Sequence, residues 1–114
     1  MTDVITLTEA NFDQEVLASD VPVVVDYWAP WCGPCRLLGP VVDRIAQERP
    51  GTIKVGKVNV DEQPALAAQA GVRSIPLVVL YRNGELVAEA IGAQPKDALE
   101  LALGLEPSVA VDAA

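Results

Sequence analysis

The chain has two cysteines, Cys32 and Cys35, and they stand together in Trp31-Cys32-Gly33-Pro34-Cys35, between an apolar run and an amphipathic one. Thiols spaced this way can open and close a disulfide, and the start of a helix activates one of them. The first turn offers unpaired N–H groups and positive dipole potential, both of which stabilise negative charge on sulfur. An ordinary thiol with a pKa of about 8.5 is about 3% thiolate at pH 7, whereas a pKa near 7 makes about half of it reactive. Cys32 is the expected nucleophile, being nearest the helix N-terminus and expected to be the more exposed sulfur. Cys35, one turn later, is expected to resolve the mixed disulfide that Cys32 forms with a partner.

Plainer readings are weighed against this one. A structural disulfide here closes a very short loop, where loop-closure stabilisation is small. A structural zinc site needs four ligands, and the chain has no histidine and no third cysteine. Metal binding by the pair alone and an inert pair of thiols remain as alternatives, although Gly33 and Pro34 mark an exposed turn.

Other residues fall into place around the thiols. Asp26 interrupts the apolar run Val23-Val24-Val25-Asp26-Tyr27-Trp28. Desolvation there raises a carboxyl pKa and makes it a candidate proton acceptor for Cys35; a buried acid paired with a cation is the alternative. Lys57, inside the next strand, can partner Asp26, although a strand lysine more often faces water. Pro76 reads as a strand-opening proline, since only about 5–6% of X-Pro bonds in folded proteins are cis. Trp28 and Trp31 can each be core or docking surface, and Gly92 can serve a turn or admit a partner's backbone.

The elements that position these residues follow from periodicity. Val4–Leu7 is a short strand, and Thr8 can cap a helix that carries Phe12, Val16 and Leu17 on one face. The β-branched run from Val23 to Trp28 is a central strand buried on both faces. From Pro34 onward Leu37, Leu38, Val41, Val42, Ile45 and Ala46 recur at helical spacing, with Pro40 expected to kink the axis. Ile53–Val60 is a strand joined to the previous one by a right-handed parallel crossover. Pro64–Ala70 is a short helix ended by Gly71, and Leu77–Tyr81 is a strand. Asn83-Gly84 turns that strand into an antiparallel one over Leu86–Ile91, and Pro95 opens a last helix with Leu99, Ala102 and Leu103. The order implies an α/β fold, a mixed sheet covered by helices on both faces, with the cysteines at a strand's carboxyl end where such sheets place active sites.

Composition narrows the function classes. At 114 residues the chain is expected to be one domain, over residues 1–104, with a mobile C-terminal tail over 105–114. Its formal charge of −8, with eight scattered basic residues, argues against nucleic-acid or anionic-membrane binding. The first residues lack the pattern of a signal peptide and no run is long enough to span a membrane, so a cytoplasmic protein is expected.

Taken together, Val25-Asp26-Tyr27-Trp28-Ala29-Pro30-Trp31-Cys32-Gly33-Pro34-Cys35, Lys57-Val58-Asn59-Val60-Asp61, Ile75-Pro76, Asn83-Gly84 and Gly92 resemble the thioredoxin family in register over about residues 4–104. The resemblance implies a thioredoxin fold, a central five-stranded mixed sheet flanked by four helices. It implies a general protein-disulfide reductase with no bound cofactor, receiving electrons from NADPH through thioredoxin reductase and passing them to disulfide-containing proteins. A monomer is expected, because the one exposed apolar patch is already given to transient partners. The resemblance assigns catalytic roles to Cys32, Cys35, Asp26, Lys57 and Pro76, the last as a cis proline facing the cysteines. Trp31, Gly33, Pro34, Ile75, Gly92 and Ala93 become the substrate-docking surface, with the backbone of Ile75 pairing with an extended partner segment. Arg36 stands where the family has lysine, and Leu77, where it has threonine, is expected to make the rim more apolar. A dedicated donor to one partner enzyme and a redox-gated binding subunit are the competing functions.

Overall fold

Alternation along Val23–Trp28 decides which face of the sheet carries chemistry. The computed structural model describes residues 4–106, and within them this segment is β2, the middle of a five-stranded sheet. Successive strand side chains point to opposite faces, so Val23, Val25 and Tyr27 go one way while Val24 and Asp26 go the other. The core divides accordingly. Val24 joins Leu38, Val42, Ile45, Val78, Leu80 and Leu99 on one face, and Val25 and Tyr27 join Phe12, Val16, Val58, Leu66 and Val79 on the other. Each such aliphatic or aromatic side chain, when fully buried, contributes about 1.5–3 kcal/mol.

The sheet order is β1-β3-β2-β4-β5, where β1 is Ile5–Thr6, β3 Lys54–Asn59, β4 Leu77–Arg82 and β5 Glu85–Ile91. β3 pairs parallel with both β1 and β2, while β4 pairs antiparallel with β2 and β5. The parallel pair is spanned by α1, Gly33–Glu48, which lays Leu38, Val42, Ile45 and Ala46 against the sheet. Helices α2, Pro64–Gln69, and α3, Lys96–Leu103, cover opposite faces through Leu66 and through Leu99 and Leu103. With the short helical segment Asp13–Leu17, four helical segments flank the sheet among the described residues, which is the expected architecture.

The hairpin between β4 and β5 turns on Asn83 (φ 53°) and Gly84 (φ 82°). Two consecutive left-handed residues are what a tight hairpin twisted with its strands demands. Helix α3 ends at Gly104 with φ 75°, again left-handed.

Four expectations are corrected. The helix expected directly after Thr8 is delayed: Asn11 accepts the Thr8 N–H and donates to the Thr6 carbonyl, folding residues 8–11 into a turn. The helix itself is Asp13–Leu17 with π-type bonding, Ala18 N–H reaching the Asp13 carbonyl, and Thr8 does not cap it. Leu37, placed in the apolar face, is 73% exposed, because the buried stripe of α1 runs through Cys35, Leu38, Val42 and Ile45. Leu77, expected on the rim, is 3% exposed and shares the inward parity of Val79 and Tyr81. Finally, Leu105 is buried against the core and its N–H donates to the Glu100 carbonyl (2.9 Å), while residues 107–114 of the expected tail lie outside the described residues.

Candidate active site

Cys32 follows β2 by a short loop and becomes the N-cap of α1, in extended conformation (φ −89°, ψ 108°). Its sulfur accepts the Cys35 N–H at 3.2 Å, and the two cysteines are joined as a disulfide with Cα atoms 5.3 Å apart. Pro34 sits in the first turn, where its missing N–H costs nothing, and the helix continues through Pro40. Cys32 and Cys35 are 4% and 5% exposed, so exposure does not single out Cys32 as expected. Ala29 packs with the pair, and Trp28, Val60 and Ile75 lean against it. What distinguishes Cys32 is its place at the cap, with a helix N–H already aimed at its sulfur.

Around the sulfurs the expected docking residues divide by exposure. Trp31 is 67% exposed, yet its indole is held, because Nε1 donates to Asp61 Oδ2 at 2.9 Å. Asp61 is steadied in turn by its own N–H, which donates to Asn59 Oδ1. Gly33 and Pro34 are exposed on the first turn of α1. Ile75 precedes a cis peptide bond to Pro76, which is buried. The Pro76 carbonyl accepts the Gly92 N–H at 2.9 Å, tying the end of β5 to the approach to β4. Gly92 has φ 88° with open space where a Cβ would stand, so the turn demands glycine and the surface stays bare; Ala93 follows, exposed. A groove of about 400 Å³ runs beside this surface, between Trp31, Val60, Ala67, Val72, Arg73, Ser74 and Ile75.

Beneath Cys35 lies a cleft of about 260 Å³ lined by Asp26, Trp28, Ala29, Pro30, Cys35, Arg36, Gly39 and Lys57. Asp26 is 2% exposed and its Oδ1 has no hydrogen-bond partner. Burial pushes its carboxyl up from 3.8 to about 6; Lys57 opposes the rise and Asp43 adds to it. Lys57, expected to partner Asp26, is its register neighbour on β3. Its ion pair, however, is with Asp43 of α1, Nζ to Oδ1 3.0 Å, and not with Asp26. Arg36 donates to the Pro30 carbonyl at 2.8 Å, bracing the loop before Cys32.

Asp43 and Asp61 were not legible as site residues. Asp61 stood in a recognised run with no role attached, and Asp43 lies between the apolar positions of α1 with no motif around it. The groove residues Val72, Arg73 and Ser74 come from a connecting loop with no periodic signal. Among the described residues no group of side chains suited to a metal ion is present, and no helix is long and apolar enough to cross a membrane.

The thioredoxin family model matches residues 3–104. The chain is 54% identical to a thioredoxin of Porphyra purpurea over 97 residues, 85% of this chain and 91% of the relative. It is 56% identical to thioredoxin 1 of a Nostoc species over 97 residues, with the same coverage, and 48% identical to a thioredoxin of Haemophilus influenzae over 99 residues, 87% and 92% of the two chains. Similarity of this extent spans the whole sheet and both flanks of the cysteine pair.

Proposed function

Since this chain belongs to the thioredoxin family and is a thiol-disulfide oxidoreductase, we propose that it acts as a protein-disulfide reductase with Cys32 as nucleophile and Cys35 as resolving thiol. The observation that carries the reading is the N-cap position of Cys32, with the Cys35 N–H directed at its sulfur. In the dithiol form that hydrogen bond and the helix dipole favour a Cys32 thiolate. The thiolate attacks a partner disulfide; a Cys32–partner S–S bond forms and the partner's other sulfur leaves as a thiol. Cys35 then gives its proton to the Asp26 carboxylate and attacks Cys32. The mixed disulfide breaks, the partner departs reduced, and the Cys32–Cys35 disulfide holds the two electrons' worth of oxidation.

Asp26 suits the proton-accepting role because a carboxyl near 6 is still largely ionised at neutral pH while being a stronger base than an exposed aspartate. The surface of Trp31, Gly33, Pro34, Ile75, Gly92 and Ala93 would receive the partner, with an extended segment pairing along the Ile75 backbone ahead of Pro76. Such pairing reads little side-chain chemistry, which supports a broad range of disulfide-containing proteins. Lys57 tunes Asp26 by its charge. The protein carries no cofactor of its own in this scheme; NADPH, through thioredoxin reductase, regenerates the dithiol in the cytoplasm.

A trapping experiment tests these assignments. The Cys35→Ser variant, mixed with a disulfide-bonded protein, accumulates a covalent complex that dithiothreitol releases, and Cys32→Ser forms none. A complex formed equally by Cys32→Ser would reverse the roles of the two sulfurs.

A further inference from the structure

Cys35, Gly39 and Asp43 are spaced four residues apart, so they form one line along the face of α1 that looks onto the sheet edge of the cleft. Across from that line, Asp26 and Lys57 are register neighbours on β2 and β3 and share a face. Lys57 therefore starts beside Asp26, and its four-carbon stem can deliver the ammonium either to Asp26 or to α1. It goes to α1: Nζ passes over Gly39, where a methyl group would touch it at 3.6 Å, and ends 3.0 Å from Asp43 Oδ1. Asp26 Oδ1 is left buried without a hydrogen-bond partner.

We infer that Asp43 is a positioning residue for the resolving step: by competing for the Lys57 ammonium it keeps the Asp26 carboxylate unpaired beside Cys35, and so able to take the thiol proton. The inference rests on the reading of Asp26 as the acceptor for Cys35. The groups facing Asp26 are few. From β3 comes Lys57; from α1 come Cys35, Arg36 and Asp43; its partner on β4 is the apolar Val78. Arg36 directs Nη2 to the Pro30 carbonyl, and Lys57, the register neighbour of Asp26, is the cation whose charge acts on the Asp26 carboxyl. The opposite effects of Lys57 and Asp43 on the Asp26 carboxyl agree with this competition.

Asp43 has a side chain 45% exposed, so its replacement by Asn leaves the core untouched. The test follows the Asp26 carboxyl carbon by NMR through a pH titration of the oxidised full-length chain, in the wild type, Asp43→Asn, Lys57→Met and the double variant. Asp43→Asn should lower the midpoint by about 1 pH unit as Lys57 turns to Asp26, and Lys57→Met should raise it. In the Lys57→Met background the Asp43→Asn change should be much smaller. An unmoved or raised midpoint in Asp43→Asn would overturn the inference, and so would an equal shift in both backgrounds, which would mean that Asp43 acts by its own charge. The acidic limb of the resolution rate, measured in a single turnover, should move with the midpoint; a limb that stays in place would overturn the positioning role. The reading of Asp26 as base is judged separately, by whether Asp26→Asn slows resolution.

Discussion

At the scale of single residues, the site turns on one buried acid whose neighbouring cation is paired elsewhere. Asp26 is buried with an unpaired oxygen, and its carboxyl holds a proton up to about 6 where an unfolded aspartate lets go near 3.8. The folded protein thus binds that proton more tightly than the unfolded chain. The stability this contributes is fully present below 3.8 and is lost as the pH rises through about 6. Above that pH the ionised form costs about 3 kcal/mol. Asp26→Asn should accordingly raise the unfolding free energy by about 2–3 kcal/mol near pH 8 and by little near pH 3, as urea titrations at the two pH values would read. It should also slow release of the mixed disulfide. Equal stabilisation at both pH values would contradict the assignment of the cost to the charged carboxylate. The presence of Asp26 in an apolar strand was legible in the sequence, because one acid among β-branched neighbours has no other place to face. The partner of Lys57 was not legible, since the choice between two carboxylates depends on how α1 docks over the sheet.

At the scale of elements, period-two and helical patterns carried most of the fold. β2 and β4 are apolar on both faces because both faces are covered, and Asn83-Gly84 could hardly be anything but a hairpin. Boundaries differ by a residue or so, as with α2 ending at Gln69. The failures have physical causes. Leu37 sits at the edge of an apolar stripe narrower than its hydrophobic neighbours suggest. Leu77 follows the cis proline and was read as surface, although its parity with Val79 and Tyr81 already pointed inward. The joint between α1 and α3 was missed altogether. There Arg49, at the end of α1, pairs with the buried Glu100 at 2.7 Å, and Lys96 bridges Glu100 and Glu48. Such a cluster is invisible in sequence because its two halves come from distant segments, Arg49 and Glu100 lying 51 residues apart. Removing one member of a buried pair leaves the other desolvated, so Arg49→Met should cost about 2–3 kcal/mol, softened because Lys96 remains. The double change Arg49→Met with Glu100→Leu should recover most of that in urea unfolding. Failure to recover would show that Arg49 acts through packing instead of charge.

At the scale of the whole molecule, a mixed sheet with its helices on both faces brings a helix N-terminus, a buried acid and a cis-proline loop to one end. The parallel β2-α1-β3 unit supplies Asp26, both cysteines and Lys57, and the antiparallel half supplies Ile75, Pro76 and Gly92. The two halves meet at the site because β2 and β4 are paired along their length. Similarity to thioredoxins over most of the chain makes the dithiol couple the centre of the account, and the direction of electron flow its central proposal. The most direct measurement is the equilibrium of the Cys32–Cys35 couple against graded mixtures of reduced and oxidised glutathione. The account predicts a potential well below the glutathione poise, near the value of about −270 mV carried over from thioredoxins as a class, so that the protein stays reduced and donates electrons. A potential about 100 mV higher would make it an oxidant or isomerase and contradict the proposed reductase.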